Sequence, residues 1–301
     1  MRAVVMHETG GADVLRLEET EPPEPADGEV LIGVRAASVN PVDWKYRRGF
    51  VEAELPTVLG KDVSGTVEVS RADGFADGDD AFGYVPGGGY AEFVAAPAGA
   101  IAKKAAALSH EQAAALPVAG MTAWQALFDR GGLERGQTAL IAGAAGGVGH
   151  LAVQLAKLAG ARVTGSGSSG NRDFVLALGA DDYVDYTQQD VGEAVSGVDV
   201  AFDTVGGDTT ESLLPTLREG GVLVTIANAP PEEAARARGV RGELLVMSPA
   251  SEQLSRIGEL VAAGDLRVEI AQALPIAEVQ RAHELSESGH ARGKIVLTVE
   301  A

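Results

Sequence analysis

The chain has 301 residues, 46% hydrophobic and 22% charged, with only 13 prolines; this is the make-up of a folded globule too long for one small core, so two domains are expected. Its net charge of −19, from 24 basic and 43 acidic residues, speaks against nucleic acid or an anionic membrane as partner. With no cysteine, disulfides, a thiol nucleophile and a thiolate metal site are excluded.

The amino-terminal "MRAVVMHETGGADV" has no apolar signal core, and no apolar run reaches the ~20 residues of a membrane span. A cytoplasmic protein is expected. From residue 1 to about 117, short alternating strands broken by Gly, Pro and Asp predict a β-rich, partly open barrel. "EVLIGVRAASV" (Glu29 to Val39), "SGTVEVS" (Ser64 to Ser70) and "YAEFVAA" (Tyr90 to Ala96) are examples. Residues 118–264 switch to strand–helix alternation. Strands are predicted at Thr138–Ala142, Arg162–Ser166, Tyr183–Asp185, Val198–Asp203, Val222–Ala227 and Glu243–Met247, with helices at Gly147–Ala159, Asn171–Leu178 and Thr209–Arg218. That order is a doubly wound parallel sheet. "APPEEAARARGVRG" (Ala229 to Gly242) reads as a mobile surface connection. Residues 265–301 return to strand, short helix and strand, so both chain ends are assigned to the β-rich domain (1–117 and 265–301).

The densest signal is "TALIAGAAGGVGHLAVQLAKLAGARV", Thr138 to Val163. A buried strand leads into a glycine turn, with Gly143, Gly146 and Gly149 three apart, and then a helix with apolar residues at helical spacing. Missing side chains let the backbone approach a pyrophosphate, and open helix amides with the positive dipole end hold its charge. Gly143, Ala145, Gly146, Gly147 and Val148 are therefore the predicted diphosphate cradle. The next strand ends in "RVTGSGSSGNRDF", with no carboxylate before Asp173 to bind a ribose 2′-hydroxyl. Ser166 and Ser168 can hydrogen-bond a 2′-phosphate and Arg172 can balance its charge, which favours NADPH.

Seven motifs occur in one order: "AASVNPVDWKYRRG", "PTVLGKDVSGTV", "GGGYAEFV", "LPVAGMTAWQAL", the glycine turn, "FDTVGG" and "GHARGKIVL". Together they resemble the medium-chain dehydrogenase/reductase superfamily, in its zinc-free quinone oxidoreductase branch, over nearly the whole chain. The resemblance implies an α/β protein: a GroES-like catalytic domain plus a Rossmann NADPH-binding domain. Zinc alcohol dehydrogenases of the superfamily take a cysteine, a histidine and a further cysteine to their catalytic metal. The matching positions here are Asn40, Lys61 and Val118 or Ala119, an amide, an ammonium and an apolar side chain, which cannot form a zinc site. The five histidines have no ligand spacing.

The resemblance also places residues. Asn40 lies near the nicotinamide, where its amide can donate to a developing oxyanion or simply form the turn before Pro41. Tyr46 is the best proton donor, with a pocket-lining role as the alternative. Asp43 organises the loop or binds Lys61; Lys61 pairs with Asp43 or Asp62 and is given no catalytic part. Thr122, Val205, Ile226 and Ala227 contact the cofactor, and Tyr186 lies near the adenine or packs. Substrate identity resides in the loops Phe50–Leu55, Tyr84–Gly88 and Met247–Ser251. The function read from these residues is zinc-independent, NADPH-dependent hydride transfer to a quinone or α,β-unsaturated carbonyl. An enoyl-thioester reductase and a non-catalytic NADPH-binding protein are the rivals. A homodimer is expected, pairing the apolar edge "ELLVM" (Glu243–Met247) across a twofold axis.

Overall fold

A computed structural model describes residues 1–300. The chain divides into two compact units, one of residues 1–121, 249–264 and 268 onward, the other of residues 122–248 with 265–267.

In the first unit the eleven-residue strand Glu29–Val39 is the spine. It pairs antiparallel with Asp62–Ser70 along one edge, and on the other with Phe93–Pro97 at its start and Lys294–Thr298 at its end. Asp80–Tyr84, Ile101–Lys103 and Ile270–Pro275 complete this seven-stranded sheet. Leu15–Glu19, Arg2–Met6 and Thr57–Val58 form a second, small sheet. Strands hydrophobic on one face bury a shared core that includes Met6, Ile32, Val63, Tyr90, Ile101 and Leu297. "YAEFVAA" becomes strand only from Phe93, because Tyr90 and Ala91 are taken by the opposite segment: Val4 donates its N–H to the Tyr90 carbonyl at 2.8 Å.

The second unit is a six-stranded parallel sheet. Its order is Asp182–Asp185, Arg162–Gly167, Thr138–Ala142, Val198–Asp203, Leu217–Thr225 and Arg241–Leu244. Thr138–Ala142 is central and buried from its second residue on, which is why it reads as an unbroken apolar run.

Four expectations need correction. The helix expected at Thr209–Arg218 is only Asp208–Ser212, followed by a short turn at Leu214–Thr216. Pro215 has no N–H to continue the ladder, and the next strand starts at Leu217. The stretch expected to be a mobile connection holds the helix Glu232–Ala237, anchored by buried Ala235. The edge strand is Arg241–Leu244 rather than Glu243–Met247, since its pairing ends at Thr225 opposite Leu244. Finally, the helix Ser251–Ala263, assigned from sequence to the nucleotide-binding region, packs against Ile101–Lys103 of the first unit; Gly258 admits the Phe82 ring there.

Candidate active site and cofactor cradle

In the second unit the glycine turn joins Thr138–Ala142 to the helix Gly149–Leu158. Gly143 has φ +71°, and a Cβ on it would meet Thr204 Oγ1 at 2.4 Å. A Cβ on Gly149 would lie 2.1 Å from the Gly143 carbonyl oxygen, so only glycine lets the helix begin this close to the turn. The N–H groups of Ala145, Gly147 and Val148 make no hydrogen bond among the described residues. Three open amides at a helix start are a fitting cradle for a diphosphate.

The strand Arg162–Gly167 ends beside this turn, its Ser166 carbonyl accepting the Ala144 N–H at 3.0 Å. Ser166 is buried and Ser168 partly exposed, with Ser168 Oγ accepting from Asn171 Nδ2 at 3.2 Å. Arg172 is exposed, and its guanidinium donates to the Tyr183 carbonyl at 3.4 Å. One residue the linear reading missed is Asp185. It arrives on the neighbouring strand in register with Gly167, so its distance along the chain conceals its nearness to the serines. The Thr187 hydroxyl and N–H donate to it, and hydrogen bonds from Thr187 and then Ser169 hold its carboxyl below the usual range. Tyr186, next in sequence, is 61% exposed.

Val205 is exposed on a loop held by Asp203, which is fully buried and was not singled out from sequence. Asp203 Oδ1 accepts the N–H groups of Val205 and Gly206 at 2.8 and 2.9 Å, and Oδ2 accepts the Thr210 hydroxyl at 2.6 Å. A Cβ on Gly206 would fall 2.3 Å from the Ala227 Cβ, so this loop lies directly against the strand end carrying Ile226 and Ala227. Thr122 is buried in the helix Pro117–Trp124, which runs on as a π-helical segment over Gln125–Arg130.

The polar residues of the first unit gather around Asp62, which is completely buried. Its Oδ2 accepts from the Ser38 hydroxyl at 2.7 Å and from Asn40 Nδ2 at 2.8 Å; its Oδ1 accepts the Val118 N–H at 2.8 Å. The cation of this group is Lys294, 3% exposed, which donates to Asn40 Oδ1 and stands 3.6 Å from Asp62. Burial pushes the Lys294 ammonium below its usual range, against the pull of Asp62 and Asp43. Asn40 also caps the helix Pro41–Arg47, donating its backbone N–H to Asp43 Oδ2 at 2.8 Å. The Tyr90 hydroxyl donates to the same oxygen at 3.0 Å, whereas Asp43 Oδ1 has no partner among the described residues. Desolvation raises Asp43 to about 6, with Asp62 adding to it and the hydrogen bonds from Asn40 and Tyr90 opposing it.

Lys61 does not pair with Asp43 or Asp62, as the sequence suggested. Lys294, 254 residues beyond Asn40, fills that place. Lys61 instead donates to the Pro86 carbonyl at 2.6 Å, with its Nζ 5.0 Å from the Tyr46 ring centre and 5.6 Å from that of Tyr84. Tyr46 packs on the core by its ring, and its hydroxyl makes no hydrogen bond among the described residues. Asn40, by contrast, has its carbonyl and one amide hydrogen committed, leaving one N–H. Among the described residues, no three His, Cys, Asp or Glu side chains are grouped to hold a metal.

Comparison with known proteins agrees with this architecture. Residues 26–106 match the alcohol dehydrogenase GroES-like domain family and residues 178–297 the zinc-binding dehydrogenase family. The chain is 35% identical to a chloroplast envelope quinone oxidoreductase homolog of Arabidopsis thaliana, over 96% of this chain and 95% of that one. It is 33% identical to 2-methylene-furan-3-one reductase of Solanum lycopersicum, over 99% and 79%. The quinone oxidoreductase of Coxiella burnetii superposes with a TM-score of 0.95 at 37% identity, covering 100% of this chain and 99% of that one. The Escherichia coli quinone oxidoreductase complexed with NADPH does so at 0.92 and 28%, covering 99% and 100%. The chain belongs to the medium-chain dehydrogenase/reductase superfamily, in its quinone oxidoreductase branch. It is an oxidoreductase with a nicotinamide cofactor and a small-molecule substrate, and no helix among the described residues is long and apolar enough to cross a membrane.

Proposed function

We propose that the protein is a zinc-independent, NADPH-dependent reductase of quinones or α,β-unsaturated carbonyls. The observation that carries this reading is the donor set of the first unit. Where zinc relatives place metal ligands, this chain has an amide tied to Asp62 and Lys294, an ammonium on a carbonyl, and at Val118 a backbone N–H bonded to Asp62. Amide hydrogens and an ammonium repel a cation rather than ligate it. The acceptor must therefore take hydride without a Lewis acid, which quinones and enones do and unactivated ketones do poorly. The names of the tomato and Coxiella relatives point to the same two acceptor classes.

In this reading the N–H groups of Ala145, Gly147 and Val148 hold the diphosphate, with Gly143 and Gly146 keeping the approach clear. Ser166, Ser168 and Arg172 receive the 2′-phosphate, Tyr186 borders the adenine, and Thr122, Val205, Ile226 and Ala227 border the nicotinamide. When bound, the dihydronicotinamide supplies the hydride. The remaining Asn40 N–H stabilises the oxyanion that forms, and the unbonded Tyr46 hydroxyl supplies the proton. The test is NADPH oxidation with a panel of quinones, enones, enoyl thioesters and simple ketones after prolonged chelation. Quinones and enones should turn over undiminished and simple ketones should not; zinc near one equivalent per chain, lost together with activity, would overturn the reading.

A further inference from the structure

Lys61 is a partly buried cation with no anion beside it among the described residues. In a chain with 43 acidic residues against 24 basic ones, Lys103, Lys104, Lys157 and Lys294 each have a carboxylate within ion-pair distance, whereas Lys45 rests over the single ring of its neighbour Trp44. Lys61 has no such carboxylate among the described residues. Two phenol faces and one carbonyl hold it instead: Tyr46 from the helix Pro41–Arg47, Tyr84 at the end of Asp80–Tyr84, and the Pro86 oxygen. Ring faces attract an ammonium without neutralising it and without using its hydrogens in directed bonds. One N–H goes to Pro86, so two remain to offer. The side chain is thus fixed in position while its charge stays unspent, in contact with the tyrosine that has the unbonded hydroxyl.

We propose that the Lys61 ammonium binds the carbonyl or quinone oxygen of the acceptor and stabilises the oxyanion created by reduction. This deepens the reductase reading and rests on it. Hydride brings two electrons to the acceptor carbon, or to the quinone ring system, and NADPH becomes NADP⁺. The carbon–oxygen π electrons move onto the oxygen, leaving an enolate or hydroquinone monoanion against the Lys61 N–H groups. A proton then goes to carbon for an enone or to oxygen for a quinone, from Tyr46 or from water. Lys61 gives up no proton in this step. Charge on a partly buried side chain favours that product-like oxyanion over the neutral substrate, so the effect falls on turnover more than on binding.

Lys61→Met keeps the aliphatic stem and removes the charge; Lys61→Arg keeps the charge. Both are compared with wild type on a graded series of quinones and enones, with NADPH affinity followed by fluorescence and folding by thermal melting. Lys61→Met should lower kcat by roughly tenfold to a hundredfold and leave NADPH affinity within about twofold. Its loss should grow as the acceptor becomes less electrophilic, and Lys61→Arg should recover most of the rate. An equally active Lys61→Met, or a loss of the same size across the whole series, overturns the assignment while leaving the reductase reading intact. A wild type that oxidises NADPH with none of the quinones or enones overturns both.

Discussion

Replacing Asp43 with Asn isolates the energetic effect of one buried carboxyl. Asp43 is 1% exposed, and one of its oxygens receives two hydrogen bonds while the other receives none. Ionisation is thus only half compensated, and burial raises its pKa from 3.8 to about 6. Between these values the native state binds the proton more tightly than the unfolded chain. Its contribution is complete below the unfolded pKa and is lost as pH rises through the folded one. Integrated, the loss is about 3 kcal/mol, of which about 2 kcal/mol falls between about pH 4 and pH 8. His283 acts oppositely: burial, reinforced by Arg47, lowers it from 6.5 to about 3, so its stabilisation is present above 6.5 and is lost as pH falls. Because both proteins carry His283, the difference between them cancels it. Urea unfolding of wild type and Asp43→Asn across this range should show the variant gaining about 2 kcal/mol on wild type toward high pH. A pH-independent difference would refute the account of Asp43 as a half-compensated carboxyl.

NADPH should bind at least about tenfold tighter than NADH, a gap of roughly 1.4 kcal/mol; equal dissociation constants by fluorescence titration would defeat the serine-tip assignment. Asp185→Asn should widen the gap and Ser168→Asp narrow it, whereas Gly167 is a poor site for an acidic residue because its Cβ would lie 2.5 Å from the Tyr183 hydroxyl. A homodimer through the edge strand Arg241–Leu244 should become monomeric by light scattering on Val246→Glu, since Val246 is 79% exposed; an unchanged mass counts against that edge. Leu245 is the wrong probe, being buried and bonded through its N–H to Thr225. Asn40→Ala should lower kcat by about tenfold to a thousandfold and also cost about 1–3 kcal/mol of stability, because Lys294 and Asp62 lose a buried partner. Tyr46→Phe should slow enones more than quinones; equal slowing would make Tyr46 a pocket wall.

What the sequence determined by itself was local. Thr138–Ala142 and Val198–Asp203 are strands at their predicted limits; in the first, burial on both faces from Ala139 leaves a continuous apolar run, and in the second, apolar residues between Asp199 and Asp203 mark the buried stretch. The glycine turn was equally legible, since a backbone that must fold within 2.1 Å of a would-be Cβ admits only glycine at that place in the chain. Where a local breaker was underweighted, the reading failed: Pro215 ends a helix that periodicity alone extends to Arg218. The partners of charged groups were decided only by tertiary structure. Lys61 and Asp62 are neighbours in sequence, yet Asp62 takes a cation from residue 294 and Lys61 takes two rings and a carbonyl. Likewise, Asp185 reaches the serine tip through strand register rather than spacing. Burial explains the difference. A charge withdrawn from water must find its counter-charge or donors wherever packing provides them, and packing brings together residues from opposite ends of the chain.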